Sequence, residues 1–300
     1  GQVVDKHLNP IDMRNVCFTM AVFAFTSCLA QQNFTVDIWP NGTPNSNEIL
    51  GEIQKETESG RLYLTQEAKM HVFLPSNNPT GGMVIICPGG SYHFLSIENE
   101  GRRVARWFNE QGIAATVLQY RVPNKHKEVP VSDVRETFAI IKRRAVEWNV
   151  DIDKIGIMGF SAGGHLASFH SNTYTSESKP AFTILAYPVT TLLKGPSHEQ
   201  TRQNFLRNTD DPEEVAASSP VQLVGPHTPP TFIMVSRDDK LYICSQLYQE
   251  ALYENHIPFE CHVYSIGGHG WGTKDSFPYK EQWQTSLRFW LEQILNTHPQ

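Results

Sequence analysis

Ile155-Gly156-Ile157-Met158-Gly159-Phe160-Ser161-Ala162-Gly163-Gly164-His165-Leu166-Ala167 is the stretch whose reading decides the fold. Ile155 to Met158 is apolar and strand-like. Gly164 to Ala167 suits a helix. Between them lies Gly159-Phe160-Ser161-Ala162-Gly163, a Gly-x-Ser-x-Gly pattern. A strand that becomes a helix within so few residues needs a sharp turn. Glycines flanking the serine permit it, because they carry no Cβ to clash. Such a turn lifts the serine hydroxyl clear of the sheet.

Strand and helix signals alternate on both sides of this stretch. Strand character is read at Lys69–Leu74, Met83–Cys87, Ala114–Gln119, Lys154–Met158, Phe182–Tyr187, Thr231–Val235 and Glu260–Tyr264. Met83-Val84-Ile85-Ile86-Cys87 is continuously apolar, as a strand covered on both faces should be. Helical spacing is read over Glu98–Gln111, from an N-cap at Asp133, from Ala162, over Ile243–Asn255 and over Glu281–Leu295. This alternation predicts an α/β fold: a mostly parallel, twisted central sheet with helices on both faces. Thr190 to Pro230 breaks the rhythm with Pro, Ser, Thr, Asn and Glu, and reads as a short lid-like insertion.

A serine hydroxyl is a poor nucleophile until a base takes its proton. Twelve histidines are available. His269 stands out in Gly267-Gly268-His269-Gly270-Trp271, after a strand and before the last helix. The third member should be an acid at the end of a strand between the two. Ser236-Arg237-Asp238-Asp239 follows such a strand, and Asp239 is preferred to its neighbour Asp238. An acid there would fix the imidazole tautomer and stabilise the imidazolium. The chain order Ser161, Asp239, His269 is that of α/β-hydrolases. A developing oxyanion needs preorganised donors. The N–H of Ala162 is one candidate, and Ser91 or Gly90 in Pro88-Gly89-Gly90-Ser91-Tyr92 supplies the other. Tyr92, His93 and Trp271 are candidates for the substrate pocket, and His165 is read as helix packing. No metal or organic cofactor is needed for this chemistry.

Composition sets the remaining limits. Hydrophobic residues at 40% and charged residues at 19% describe a globular chain. A net charge of −6 gives no basic footprint for nucleic acid or an anionic membrane. Met13-Arg14-Asn15 followed by the apolar run Val16–Ala30 has the form of a secretory signal over residues 13–30. The run is short for a membrane span, which takes roughly 20 residues. The expected location is therefore secreted or periplasmic, with lipid anchoring at Cys28 as an alternative, because Phe25-Thr26-Ser27-Cys28 is a loose lipobox. Residues 1–12 read as artificial or upstream-translated, 31–60 as an exposed N-terminal arm, and 61–297 as the catalytic domain. Outside the signal Cys87, Cys244 and Cys261 remain. This odd count is no disulfide framework, though a Cys244–Cys261 bridge is one option.

Five segments together resemble a known group. Pro88-Gly89-Gly90-Ser91-Tyr92, Glu100-Gly101, Tyr120-Arg121-Val122-Pro123, the Gly159–Ala167 run and Gly267-Gly268-His269-Gly270 look like bacterial carbohydrate esterases of the α/β-hydrolase fold. These are the acetyl-xylan-esterase and feruloyl-esterase-like enzymes, related to the hormone-sensitive-lipase esterases. Asp37-Ile38-Trp39-Pro40-Asn41-Gly42-Thr43-Pro44 resembles their N-terminal arm, so the likeness runs over about residues 35 to 296. It implies a serine esterase acting on short acyl esters, acetyl above all, of plant polysaccharide such as xylan or its oligosaccharides. A general carboxylesterase or feruloyl esterase is the first alternative. A prolyl-oligopeptidase-type peptidase and a non-catalytic binding module are more distant ones. The family often has Val-Val-Pro after the acid, where this chain has Lys240-Leu241-Tyr242-Ile243. That departure bears on the choice of acid.

Overall fold

Met83-Val84-Ile85-Ile86-Cys87 offers water no polar side chain. The computed structural model, which describes residues 32–53 and 55–296, buries all five. The readings of residues 1–12 and of the signal at 13–30 lie outside the described residues. In chain order the strands are β1 (Gln32–Asp37), β2 (Leu62–Tyr63), β3 (Lys69–Leu74), β4 (Met83–Cys87), β5 (Phe94–Leu95), β6 (Ala114–Gln119), β7 (Ile155–Phe160), β8 (Thr183–Ala186), β9 (Thr231–Ser236) and β10 (Phe259–Tyr264). The helices are α1 (Arg103–Glu110), α2 (Glu128–Arg143), α3 (Ala145–Trp148), α4 (Ala162–Thr173), α5 (Glu199–Phe205), α6 (Pro212–Ala217), α7 (Tyr242–Glu254) and α8 (Lys280–Asn296).

Among the described residues, eight strands form one sheet in the order β1-β3-β6-β4-β7-β8-β9-β10, and β2 pairs with β5 apart from it. The β1–β3 and β3–β6 pairs are antiparallel. The other pairs of the large sheet are parallel. Every residue of β4, β6, β7, β8 and β9 is buried. Successive strand residues point to opposite faces, so helices must cover both. On one face Trp107 of α1 packs against Trp283 of α8, and elsewhere α2 packs beside α4. The predicted α/β sheet is present, with β7 and the start of α4 at its centre.

Three expectations change. Residues 32–37 were read as part of an exposed arm; they add β1 to the sheet edge, where Phe34 packs near Trp148 and the polar residues face outward. Trp39 then turns inward, and its Nε1 donates to Asp133 Oδ1 at 2.7 Å. Asp133 was read as an N-cap. It lies instead inside α2, which begins at Glu128. There it accepts the Arg121 backbone N–H at 2.9 Å and pairs with the Arg121 guanidinium at 2.7 Å, both side chains being buried. Burial pushes the Asp133 carboxyl up, and the bonds from Arg121 and Trp39 oppose that. The third change concerns Thr190–Pro230, which forms an ordered cap. It carries α5 and α6 and buries Leu192, Phe205, Leu206 and Val215 against the domain.

Candidate active site

The turn between β7 and α4 is held by close backbone contact. A Cβ on Gly159 would lie 2.1 Å from the Gly163 carbonyl oxygen, and one on Gly163 would lie 2.0 Å from that of Cys87. Only glycine fits at either position. Ser161 between them has φ 53° and ψ −117°, a conformation that side chains other than glycine rarely adopt. Its surroundings impose it. The Ser161 N–H donates to Ala186 O at 3.1 Å, and its carbonyl accepts from His165 and Val189, each at 3.0 Å.

Three side chains singled out in the sequence meet above this turn. His269 Nδ1 lies 2.7 Å from Asp239 Oδ2, and His269 Nε2 lies 2.8 Å from Ser161 Oγ. A carboxylate can only accept, so Nδ1 carries the proton, and Nε2 is left to accept from the serine hydroxyl. The Asp239 side chain is fully buried, while that of His269 is 34% exposed. Asp239 Oδ1 accepts the Leu241 N–H at 2.8 Å, which fixes the carboxylate plane. Asp238 does something different. Its exposed carboxylate accepts the N–H of Gly268 at 2.8 Å and of Gly267 at 3.3 Å, and these bonds hold its pKa below the ordinary value.

The loop after β4 lies against the turn. A Cβ on Gly89 would meet the Phe160 carbonyl oxygen at 2.8 Å and Ser161 Cβ at 3.0 Å. Gly90 and Ser91 line a cleft of ≈ 660 Å³ that also takes in Ser161, Asp239 and His269. Ala162 opens α4, so its N–H has no carbonyl one turn earlier to bond. Ser91 adopts φ 58°, and its carbonyl accepts Asn204 Nδ2 at 2.8 Å, which ties this loop to the cap.

The three pocket candidates are not in the cleft wall. Tyr92 is buried; its hydroxyl meets His165 Nδ1 at 2.7 Å, and its ring stacks on Phe205 of the cap. The His93 ring packs against Tyr63. Trp271 is buried in a stack on Phe277 with ring centroids 4.1 Å apart, and its Nε1 donates to Ser236 Oγ. Tyr92 and Trp271 point into the core, while His93 is half-buried beside Tyr63. The cleft is lined instead by Arg61, Phe94, His198, Lys240, Leu241 and Lys274, among others. His165 is packing, as read: Nε2 donates to Ser218 O at 2.8 Å, and burial lowers its pKa to about 4. Cys87, Cys244 and Cys261 are free thiols, so the Cys244–Cys261 option is not realised.

Three neighbours of the relay were given no role in the sequence reading. Glu100 lines the cleft, Tyr187 packs its ring on His269 at 4.8 Å, and His198 enters from the N-terminus of α5. Tyr187 had a readable signal: it follows directly on β8, the parallel neighbour of the serine-bearing strand, at the end of the sheet where loops converge. His198 had none, because long-range packing of the cap brings it in.

A central parallel sheet, a strand–serine–helix turn and a histidine bridging serine to a buried carboxylate define an α/β-hydrolase. The family model described as BD-FAE matches residues 70–252, and the chain belongs to that family. It is 38% identical over 234 residues to the "Acetylxylan esterase" of Xylanibacter ruminicola, covering 76% of this chain and 48% of that protein. It is 30% identical over 220 residues to the "Endo-1,4-beta-xylanase B" of Butyrivibrio fibrisolvens, covering 67% of this chain and 34% of that one. The chain thus spans between a third and a half of the length of these curated relatives. Among solved structures it resembles the acetyl ester-xyloside bifunctional hydrolase of Caldicellulosiruptor lactoaceticus, with TM-score 0.73, 28% identity, and coverage of 89% of this chain and 98% of that one.

Proposed function

We propose that this chain is a serine esterase that removes short acyl groups, acetyl first, from xylan or its oligosaccharides. The observation that carries the reading is the Asp239–His269–Ser161 relay at 2.7 and 2.8 Å, opening into a cleft. Ser161 Oγ attacks the ester carbonyl while His269 Nε2 takes its proton. Asp239 stabilises the imidazolium that results. The N–H of Ala162 and of the Gly90–Ser91 segment would hold the oxyanion. Collapse expels the alcohol, which takes its proton from His269. Water activated by His269 then releases the acid. The acetyl and xylan preferences draw support from the acetylxylan esterase relative and from the acetyl ester-xyloside hydrolase structure.

Hydrolysis of p-nitrophenyl acetate, p-nitrophenyl butyrate, acetylated xylan and methyl ferulate tests the reading. Acetate release from xylan with little ferulate is expected, and the reverse order would favour a feruloyl esterase. Ser161→Ala should lose about 10⁶-fold in kcat and keep its Tm. A fluorophosphonate should label wild type at Ser161 and leave Ser161→Ala unlabelled; an unlabelled wild type ends the serine mechanism. Export belongs to the same proposal, because the polymer lies outside the cell. Expression of the full chain in a bacterium should give exported protein whose N-terminal sequencing begins near Gln31.

A further inference from the structure

Glu100 is a buried carboxylate that the relay does not use. It sits in a wide π-type turn, Glu98–Arg102, at φ −109° and ψ 15°, off the helical values. Such bulges often re-aim a side chain at a functional site. Glu100 Oε2 accepts the N–H of Gly89 at 2.8 Å, at the head of the loop that lines the cleft. Oε1 accepts the Tyr187 hydroxyl at 2.7 Å. The Tyr187 oxygen in turn accepts the N–H of Gly272 at 2.9 Å, three residues beyond His269. The Gly89 N–H and the Tyr187 hydroxyl thus each give a hydrogen bond to a different carboxylate oxygen, which suits an ionised acid.

Burial pushes the Glu100 pKa up, and the Tyr187 and Gly89 bonds oppose this, helped by the nearby charges of His269 and Lys274. Tyr120, from the β6 side, also feels the Glu100 charge, and Asp239 acts on Tyr187. Aside from Asp239, Glu100 is the buried carboxylate that the positive charge developing on His269 would meet.

We propose that Glu100, acting through Tyr187, is a positioning residue that sets the oxyanion loop against the His269 loop. The proposal rests on the esterase reading above. The test is Glu100→Gln and Tyr187→Phe, assayed on p-nitrophenyl acetate for kcat and KM separately. Glu100→Gln keeps the volume but cannot accept from both donors. Its kcat should fall about 10²-fold, the scale of a misplaced reacting group, with KM little changed. Tyr187→Phe should lose about 10-fold, and the double variant should be no worse than Glu100→Gln, as for residues acting in one network. A wild-type kcat, or a KM that rises as much as kcat falls, in Glu100→Gln overturns the proposal, whatever its Tm. If Glu100→Gln does not fold, Tyr187→Phe carries the test by its kcat and KM. Fluorophosphonate labelling of wild-type Ser161 separates the outcomes: labelling with an unaffected Glu100→Gln sinks this inference alone, while no labelling sinks the esterase reading beneath it.

Discussion

The serine turn and the histidine loop meet within 2.8 Å, yet they are built in opposite ways. The serine turn is held by backbone sterics: Gly159 and Gly163 admit no Cβ, and the strained Ser161 is bonded on both its N–H and its carbonyl. The histidine loop is open at the two glycines that flank His269 and closed further out, where a Cβ on Gly267 would meet Phe277 and one on Gly272 would meet Asn99. Gly268 and Gly270 have no atom within 4 Å of a would-be Cβ. Side chains from elsewhere hold that loop. Asp238 binds Gly267 and Gly268, Tyr187 binds Gly272, and Asn99 binds Thr273. A nucleophile that must keep a costly φ/ψ is enclosed by packing. On the esterase reading, the base that must exchange protons with substrate keeps some exposure and is steered by hydrogen bonds.

The largest expected break in this comparison is at the carboxylate. Asp239→Asn keeps the shape but donates where it should accept, so the wrong imidazole tautomer is favoured. The kcat on p-nitrophenyl acetate should fall about 10⁴-fold with the fold intact. A loss below about 10-fold would mean that another acid supports His269. Next comes the turn itself. Gly163→Ala drives a methyl into the Cys87 carbonyl and should cost about 3 kcal/mol or more, read as a urea midpoint or as insolubility. Gly268→Ala meets nothing and carries only the strain of φ 61°, about 1–2 kcal/mol. Equal losses at the two glycines would erase the contrast. Asp238→Asn should lower kcat about 10-fold, because it loosens the loop without touching the relay.

The smallest effect sharpens how the helix behind the serine is buried. His170 on α4 is fully buried, donates Nε2–H to Ser178 O, and has its pKa lowered from 6.5 to about 4 by burial. Its folded pKa lies below the unfolded one, so the unfolded chain binds the proton first as pH falls. Stability is unaffected above pH 6.5 and is lost between 6.5 and about 4. Against His170→Gln, which can still donate to Ser178 O, wild type should lose up to about 1.4 kcal/mol per pH unit in that window. Urea midpoints at pH 7 and pH 5 measure it, and a difference independent of pH would contradict a neutral buried imidazole.

Legibility followed the same division. Strands β3, β4 and β6 were read to their observed bounds, because a strand covered on both faces or bounded by turn residues announces itself in a few apolar positions. β1 was missed although Phe34 and Val36 alternate with polar neighbours: an edge strand is half solvated and resembles a polar arm. Asp133 was misread because its role depends on Arg121, after β6, and on the distant Trp39, not on the local helix start. Tyr92, His93 and Trp271 show the same limit. Nearness in sequence to a catalytic loop does not say which way a ring points, and in this fold the core claimed Tyr92 and Trp271.

What the chain's sequence determined on its own was the strand–serine–helix turn and, from it, the sheet around it and the type of base and acid to seek. These follow from local sterics, since glycine spacing and apolar runs act within a few residues. Tertiary structure alone decided that Asp239 meets the imidazole while Asp238 holds the loop. It also made Glu100 and Tyr187 the brace between the two loops and delivered His198 from the cap. Those assignments depend on hydrogen bonds whose partners lie 30 positions apart for the two aspartates and 11 to 87 apart for the Glu100–Tyr187 brace, which a one-dimensional pattern does not encode.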